Sequence, residues 1–185
     1  PTVQSNQLAT RHKEERISRN RAIVACKRVA AHIGLKAADV LLLDTLIAFS
    51  QPQDWEAGAR PIVWPSNAYL MEQTGFSLST LKRHIRRLAE TGVMTFRDSP
   101  NGKRWGHRTH NGAIAEAYGF DLTLLAARTI EFEMLAEQLN EERTRYQKIK
   151  RQITIARRSI RAILEAIQTE GQWDDGWDQV NRRFQ

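Results

Sequence analysis

Two stretches near the start of the chain carry apolar residues at helical spacing. The first runs from about Arg16 to His32, and Gly34 ends the pattern. The second runs from Lys36 to Phe49 and is apolar on most of its sides. A helix that is apolar all round is usually buried, so we expect the second helix to be central in the fold.

A strand and a short helix are predicted next. The sequence "PIVW" (Pro61–Trp64) favours a short strand. Ser66 is a good N-cap residue for a helix that covers Asn67 to about Gln73. Thr74-Gly75-Phe76 then predicts a tight turn.

The pattern predicts a second, amphipathic helix directly after this turn. Ser77 or Ser79 caps its N-terminus, it extends to about Thr91, and Gly92 ends it. One side is apolar and the other is polar and basic. The apolar stripe is Leu78, Leu81, Ile85 and Leu88; the opposite face is Ser79, Arg83, Arg86, Arg87 and Glu90, with Lys82 and His84 on its flanks.

Two segments, "VMTFRD" and "RWGHR", predict strands on either side of Asn101-Gly102. Asn-Gly is the preferred dipeptide of a two-residue hairpin turn, because both central residues then adopt positive φ. Helix, short turn, basic helix and β-hairpin is the order of a winged helix-turn-helix. We therefore predict a mainly α fold with a small β-hairpin: a winged helix-turn-helix with flanking helices and a long C-terminal coiled-coil-like helix.

The long helix is predicted from a seven-residue repeat, which favours one helix from about Thr129 to Thr169 that ends before Gly171. The repeat forms an apolar seam along the helix, and a seam of this length needs a partner helix to cover it. Dimerisation is therefore favoured over packing against helices of the same chain. Ten of the eleven seam positions are apolar, and Glu142 is the exception: Phe132, Leu139, Tyr146, Ile153, Ile160 and Ile167 in one column, and Leu135, Glu142, Ile149, Ala156 and Ile163 in the other.

Positive charge is concentrated in parts of the chain. The formal net charge is +7, from 28 Lys and Arg and 21 Asp and Glu. Residues 80–110 contain eight bases and two acids, residues 11–28 contain seven bases and two acids, and the remainder is slightly acidic. A local basic surface favours nucleic acid as the partner.

Composition also bears on compartment and organisation. Cys26 is the single cysteine, so the fold does not depend on an internal disulfide. No apolar run has the length of a membrane span, and a cytoplasmic protein is expected. We expect a flexible N-terminus (1–15), a winged-helix DNA-binding domain (16–126), the heptad helix (127–170), and a tail or linker (171–185) to a missing C-terminal domain.

Three motifs carry a family resemblance. They are "RDSPNGKRW" (Arg97–Trp105), "STLKRHIRRL" (Ser79–Leu88) and "YGFDLTLL" (Tyr118–Leu125). With the sequence around them, roughly residues 21–136, they resemble the N-terminal domain of the replication initiators of repABC-type plasmids, the RepC family. The resemblance implies a truncated module that binds double-stranded DNA of the plasmid replication origin. Trp105 departs from the family pattern, in which a Tyr is expected.

The basic helix and the hairpin supply the predicted DNA contacts. Arg83 is the favoured base contact, because a guanidinium group can bind guanine with two hydrogen bonds. Trp105 is expected to anchor the hairpin by packing, in preference to stacking on a base. The predicted base contacts are Ser79, Thr80, Lys82 and Arg83, and the predicted phosphate contacts are Ser66, Asn67, Arg86, Arg87, Lys103, Arg104 and Arg108.

Several residues that could form a functional site also have ordinary structural explanations. A basic helix face is often only a solvated surface, but the turn before it and the strands after it favour DNA contact. The histidines, His84, His107 and His110, lack the cysteines or carboxylates of a zinc motif, so no metal or other cofactor is expected. Asp39 and Asp44 are interpreted as helix-surface charges and not as a catalytic pair, and no enzymatic activity is expected.

Two other functions could use the same elements. A ligand-responsive winged-helix transcriptional repressor would need a small-molecule pocket between the domain and the long helix. A protein-interaction module would use the basic surface for an acidic partner and the coiled coil for assembly. Footprints on origin and promoter DNA, with and without metabolites, separate the replication initiator from the repressor. Failure to bind any duplex at low salt, with oligomerisation intact, favours the protein-interaction module.

Overall fold

The computed structural model describes residues 17–171 and, beyond them, residues 176, 179, 180 and 182. The chain forms two compact units, Pro1–Ala136 and Glu137–Gln185. The flexible N-terminus predicted for residues 1–15 lies outside the described residues, and so does most of the predicted tail, 171–185.

Four helices of the first unit lie close to their predicted positions, and serine side chains cap three of them; a fifth, Thr123–Ala127, was not predicted. Ser18, Ser66 and Ser77 each accept a hydrogen bond from the backbone N–H three residues further on. Gly75 and Gly92 follow two of the helices with φ of +70° and +67°, where a residue without Cβ is favoured. The helices are α1 (Arg19–Val29), α2 (Ala37–Phe49), α3 (Asn67–Thr74), α4 (Leu78–Glu90) and α5 (Thr123–Ala127).

A small antiparallel sheet is organised around one strand. Its strands are β1 (Ile62–Val63), β2 (Thr95–Arg97), β3 (Trp105–Arg108) and β4 (Ile114–Asp121). β4 pairs with each of the other three: Val63 lies opposite Phe120, Phe96 also lies opposite Phe120, and Trp105 lies opposite Tyr118. A register shift between His107 and Arg108 interrupts the β3–β4 pairing.

The prediction that the strands on either side of Asn101-Gly102 pair with each other is wrong. The two segments beside it do form strands, β2 and β3, but each pairs with β4 and they do not pair with each other. Gly102 has φ of +68°, whereas Asn101 does not have positive φ, so the two-residue hairpin turn is not formed. The hairpin is β3–β4, and it turns at the second Asn-Gly of the chain, Asn111-Gly112, where the N–H of Thr109 bonds the carbonyl of Ala113 at 2.8 Å.

Helix α2 is central, as predicted. It packs against α1, α3, α4 and β1. Leu42, Leu43 and Leu46 are fully buried, while Leu41 remains 44% exposed. The helices that carry the candidate site therefore rest on one apolar helix, which fixes their positions.

The long helix, α6, covers Thr129–Thr169 as predicted. Its first two turns belong to the first unit, where Phe132 and Ala136 are buried. The remainder belongs to the second unit. Within the part of the chain that the structure describes, no helix has the length and apolar character needed to cross a membrane.

Close approach of β1 to β4 requires glycine at position 119. A Cβ atom there would lie 2.4 Å from the carbonyl oxygen of Val63. We expect Gly119→Ala to lower the free energy of unfolding by roughly 2–3 kcal/mol, because backbone must move to admit the methyl group. Denaturant unfolding measures the change. Ala115→Ser, at an exposed position of the same strand, should change it by less than about 0.5 kcal/mol, and equal stabilities of the two variants would contradict the strand pairing.

Candidate nucleic-acid interface

Helix α4 has one buried and one exposed face. Leu81 and Leu88 are fully buried, as the apolar stripe predicts, but Leu78 is 42% exposed. His84 takes a place on the buried face with 5% exposure, and its ring lies 4.9 Å from that of Phe76. The buried face therefore contains a polar group that needs a partner.

That partner is Asp39 of α2, which is fully buried. Its carboxylate lies 2.6 Å from Nδ1 of His84, accepts a hydrogen bond from the N–H of Lys36 at 2.7 Å, and accepts another from Nη1 of Arg87 at 3.1 Å. The interpretation of Asp39 as a helix-surface charge is wrong, because its side chain points at α4. Asp44 does lie near the surface, paired with Lys27 at 2.6 Å.

Hydrogen bonding keeps Asp39 ionised in this buried position. Burial by itself raises the pKa of a carboxyl group, since it disfavours the charged form. The hydrogen bonds from His84, the Lys36 backbone and Arg87 outweigh that effect, and the pKa of Asp39 is lowered. The carboxylate therefore ties α4 to the core through a charged interaction.

Arg87 does not lie on the open face where the sequence pattern put it. One of its guanidinium nitrogens is committed to Asp39, and its side chain is 28% exposed. His84, predicted on the flank of the polar face, is buried. Both displacements have the same cause: residues 84 and 87 are three and six positions after Leu81 and follow it along the side of α4 that meets α2.

The exposed face of α4 carries the remaining bases. Lys82, Arg83 and Arg86 are exposed, and among the described residues none of the three forms an ion pair with an acid. Hydroxyl groups lie at the start of the same helix, where Ser77 Oγ is 3.1 Å from Ser79 Oγ and donates to Thr80 Oγ1 at 3.0 Å. The structure thus groups all four predicted base-contacting residues over the first turns of α4.

The loop between β2 and β3 is held by its own side chains. Gly102 N–H donates to the carbonyl of Ser99 at 3.0 Å, which closes a four-residue turn with Pro100 in its second position. Asn101 Oδ1 accepts a bond from the N–H of Lys103 at 3.1 Å. This turn leaves the Lys103 side chain exposed.

Arg104 connects this loop to the start of α3. Its Nη2 donates to Oδ1 of Asn67 at 2.5 Å, and its guanidinium carbon lies 4.5 Å from the centre of the Phe120 ring. Burial lowers the pKa of Arg104. Two predicted phosphate contacts, Asn67 and Arg104, are therefore neighbours, and the Oγ of a third, Ser66, is engaged by the N–H of Tyr69 at 3.1 Å.

Arg108 has a different environment. Its two terminal nitrogens bind the two carboxylate oxygens of Asp54 at 2.6 and 2.7 Å, and Nη1 also donates to the carbonyl of Gly112 at 2.8 Å. Asp54 is 2% exposed. Together these bonds use three of the five N–H donors of the guanidinium group, so Arg108 mainly holds the β3–β4 hairpin against the body of the unit.

Trp105 packs against the sheet without being fully covered. Its ring lies 5.2 Å from Tyr118 and stacks at 6.1 Å on His107, and 37% of the residue is exposed. The predicted anchoring by packing is present only in this partial form. His107 lies on β3, whereas His84 is buried on α4.

Two buried acids neutralise part of the positive charge counted in residues 80–110. Residues 80–110 contain eight bases, but Arg87 and Arg108 pair with Asp39 and Asp54, which lie elsewhere in the chain. Each acid also caps a helix start: Asp39 accepts a hydrogen bond from the N–H of Lys36 before α2, and Asp54 accepts one from the N–H of Gln51 before the 3₁₀ helix Pro52–Trp55. Lys36 and Gln51 are not residues that mark a helix start in sequence, and the pairing of each acid with a distant arginine cannot be read from sequence either.

Comparison with known proteins gives a consistent family. A family model described as the replication protein C N-terminal domain matches residues 2–168. A candidate replication protein C from Rhizobium rhizogenes is 37% identical over 153 residues, and another from Sinorhizobium fredii (strain NBRC 101917 / NGR234) is 33% identical over 153 residues. The alignments cover 82% of this chain and 38% of each relative, so the chain spans less than two fifths of their length. No solved structure matches it significantly.

Removal of the Asp39 charge tests its role in holding α4. We expect Asp39→Asn to lower the free energy of unfolding at pH 7 by about 3 kcal/mol, because His84 and Arg87 lose a buried ionic partner. Asp44→Asn is the matched control on the same helix, since its pair with Lys27 is about 40% exposed on both sides and should be worth less than about 1 kcal/mol. Denaturant unfolding measures both.

The pH dependence of this difference follows from the lowered pKa. The contribution of Asp39 is complete above the ordinary aspartate pKa of about 3.9 and is lost as the pH falls through the lower pKa of the folded state. The gap between parent and Asp39→Asn should therefore narrow below about pH 4. Similar losses for the Asp39 and Asp44 variants at pH 7 would contradict the assignment.

Proposed function

The chain belongs to the replication protein C family, and we propose that it is the origin-binding module of a plasmid replication initiator, which binds double-stranded DNA sequence-specifically. One observation carries the proposal. The buried face of α4 is fixed by Leu81, His84 and Leu88, while Lys82 and Arg83 on the other face are exposed without acidic partners among the described residues. A rigid helix that presents unpaired bases is suited to the major groove.

The proposal treats α3, its turn and α4 as a helix-turn-helix. Gly75 supplies the tight turn between the two helices, and both helices pack on α2. The sheet formed by β2, β3 and β4 follows α4 directly, in the position of a wing. Exposed Lys103 in the loop between β2 and β3 is the proposed tip of that wing.

The proposed contacts are divided by chemistry. Ser79, Thr80, Lys82 and Arg83 contact base edges, because they lie on the first turns of α4, the part of a recognition helix that enters the groove. Arg86 and Lys103 contact phosphates, as exposed cations that need no fixed geometry. Ser66, Asn67 and Arg104 form a second phosphate-binding group at the start of α3, where backbone N–H groups favour an anion.

Arg87 and Arg108 have positioning roles in this proposal. Asp39 binds one guanidinium nitrogen of Arg87 and Asp54 binds two of Arg108, so the two arginines hold α4 and the β3–β4 hairpin in place for the residues that touch DNA. The proposal gives the module a binding role without catalysis. Because plasmid DNA is in the cytoplasm, the proposal also places the protein there.

A homodimer through α6 is the second part of the proposal. The seam residues Tyr146, Ile149, Ile153 and Ile163 are between 48% and 65% exposed. Apolar residues repeated every seven positions favour pairing with a second helix, which removes them from water. A dimer would also present two recognition helices, as binding to paired half-sites requires.

The division into base contacts and phosphate contacts predicts different effects for one arginine variant and one lysine variant. We expect Arg83→Ala to reduce the preference for origin DNA over random duplex about tenfold or more, because one base contact of this kind is worth about 1–3 kcal/mol of discrimination. Lys103→Ala should weaken binding to both DNAs by a similar factor and reduce the salt dependence by about one charge. Titration of both duplexes at several salt concentrations makes the comparison. Identical behaviour of the two variants would contradict the assigned roles.

The dimer is tested by mass in solution. We expect the parent chain to sediment at about twice its 21.3 kDa and Ile149→Gln with Ile153→Gln to sediment as a single chain, since polar groups would replace two seam residues. Ile155→Gln is the matched control, because Ile155 is 53% exposed on the same helix but lies outside the seam. A parent that sediments as a single chain, or a control that dissociates equally, would contradict the proposed seam.

A further inference from the structure

The middle of helix α6 is basic without interruption. Residues 143–161 contain no Asp or Glu and eight bases: Arg143, Arg145, Lys148, Lys150, Arg151, Arg157, Arg158 and Arg161. We name these residues the basic tract. Every residue from 140 to 159 is exposed, and Arg161 is exposed as well. Among the described residues no acid forms an ion pair with any of the eight bases.

The bases are distributed around the helix and leave the seam uncovered. Arg143, Lys150 and Arg157 recur every seventh residue, directly after seam positions 142, 149 and 156, and Arg161 continues their line one turn later. Arg151 and Arg158 form a second line, one residue further round. A helix with cations on several sides can meet negative charges on both walls of a groove.

Pairing of the seam with a second copy does not neutralise these charges. In a coiled coil the residues beside the seam interact with flanking residues of the partner helix. Beside the tract those flanking positions are Gln138, Arg145, Gln152 and Ser159, none of which is acidic. A dimer therefore brings two sets of cations close together and increases the need for an external anion.

We propose that the basic tract is a second DNA-binding surface, which contacts phosphates of duplex DNA without regard to sequence. The proposal rests on the proposed function and adds to it a contact surface outside α4 and the wing. Six of the eight bases are arginine, whose planar group can bind a phosphate with two hydrogen bonds. The tract is about 27 Å long at 1.5 Å per residue, which corresponds to about eight base pairs of duplex.

An anionic membrane is the other polyanion that a basic helix can meet. Two features favour DNA. A helix that lies on a membrane buries its apolar side and keeps its far side in water, which would leave Arg151 and Arg158 away from the headgroups. Ile155 is on that far side with 53% of its surface exposed, so the apolar residues do not form a single membrane-facing surface.

The test replaces one line of the tract in the full chain. The variant carries Arg143→Gln, Lys150→Gln, Arg157→Gln and Arg161→Gln, because glutamine has a helix propensity close to that of the residues it replaces. The control carries Glu141→Gln and Glu165→Gln, two exposed acids outside the seam, one on each side of the tract. Affinities for origin duplex and for random duplex are measured over a range of salt concentrations, with the mass in solution recorded for each protein.

We expect the variant to lose roughly tenfold or more in affinity for both duplexes, with its preference for origin DNA unchanged. The slope of log Kd against log salt should fall by about three to four, since each phosphate contact contributes about 0.9. The control should bind at least as well as the parent. An unchanged slope overturns the proposal, and so does a loss of affinity that accompanies a halved mass, because the tract would then act through assembly.

Two further outcomes separate this inference from the function on which it rests. If Arg83→Ala reduces the preference for origin DNA while the tract variant binds like the parent, the second surface is wrong and the proposed function stands. If the parent binds no duplex at low salt, both fail. Binding to vesicles that contain phosphatidylserine, lost in the tract variant while DNA binding is retained, would identify a membrane as the partner and overturn the proposal.

Discussion

The buried carboxylate of Asp39 is the interaction on which the placement of α4 depends. It accepts hydrogen bonds from Lys36, His84 and Arg87, and so joins the start of α2 to the buried side of α4. An ionised carboxylate in the interior is tolerated only when its hydrogen bonds are complete. The same requirement fixes the rotation of α4 about its axis, because only one rotation brings both positions 84 and 87 to α2. Lys82 and Arg83 are exposed as a consequence of that rotation.

Much of the fold could be predicted from sequence, because its signals are local. Serine caps, glycines after helices and a seven-residue repeat marked α1 to α4 and α6 to within a few residues, whereas α5, which has no side-chain cap, was not predicted. The sheet could not be predicted in the same way, since strand pairing joins distant segments. Asn101-Gly102 and Asn111-Gly112 carry the same local signal. The strand that decides which of them forms the hairpin is β4, and the sequence pattern does not predict it.

The sequence predicts which basic residues belong to the candidate site. It does not predict which of them are exposed and which are bound to buried acids. Arg83, Arg86 and Arg87 look alike in sequence, and yet the first two are exposed while the third is bound to Asp39. Likewise Lys103 is exposed, whereas Arg104 lies on Phe120 and Arg108 is held by Asp54. A charge count over a segment treats all of these as equal. The acids that distinguish them come from other parts of the chain, and only tertiary structure brings them close.

The central claim is that the exposed face of α4 enters the groove of duplex DNA, and amide chemical-shift mapping tests it most directly. The labelled chain is titrated with a duplex from a plasmid replication origin of the proposed kind and, separately, with random duplex of equal length. The account predicts the largest shifts of the origin complex at residues 79–86, smaller shifts around Lys103, and a clear loss of the α4 shifts with random duplex. Shifts that leave residues 79–86 unchanged while the DNA is bound would contradict it.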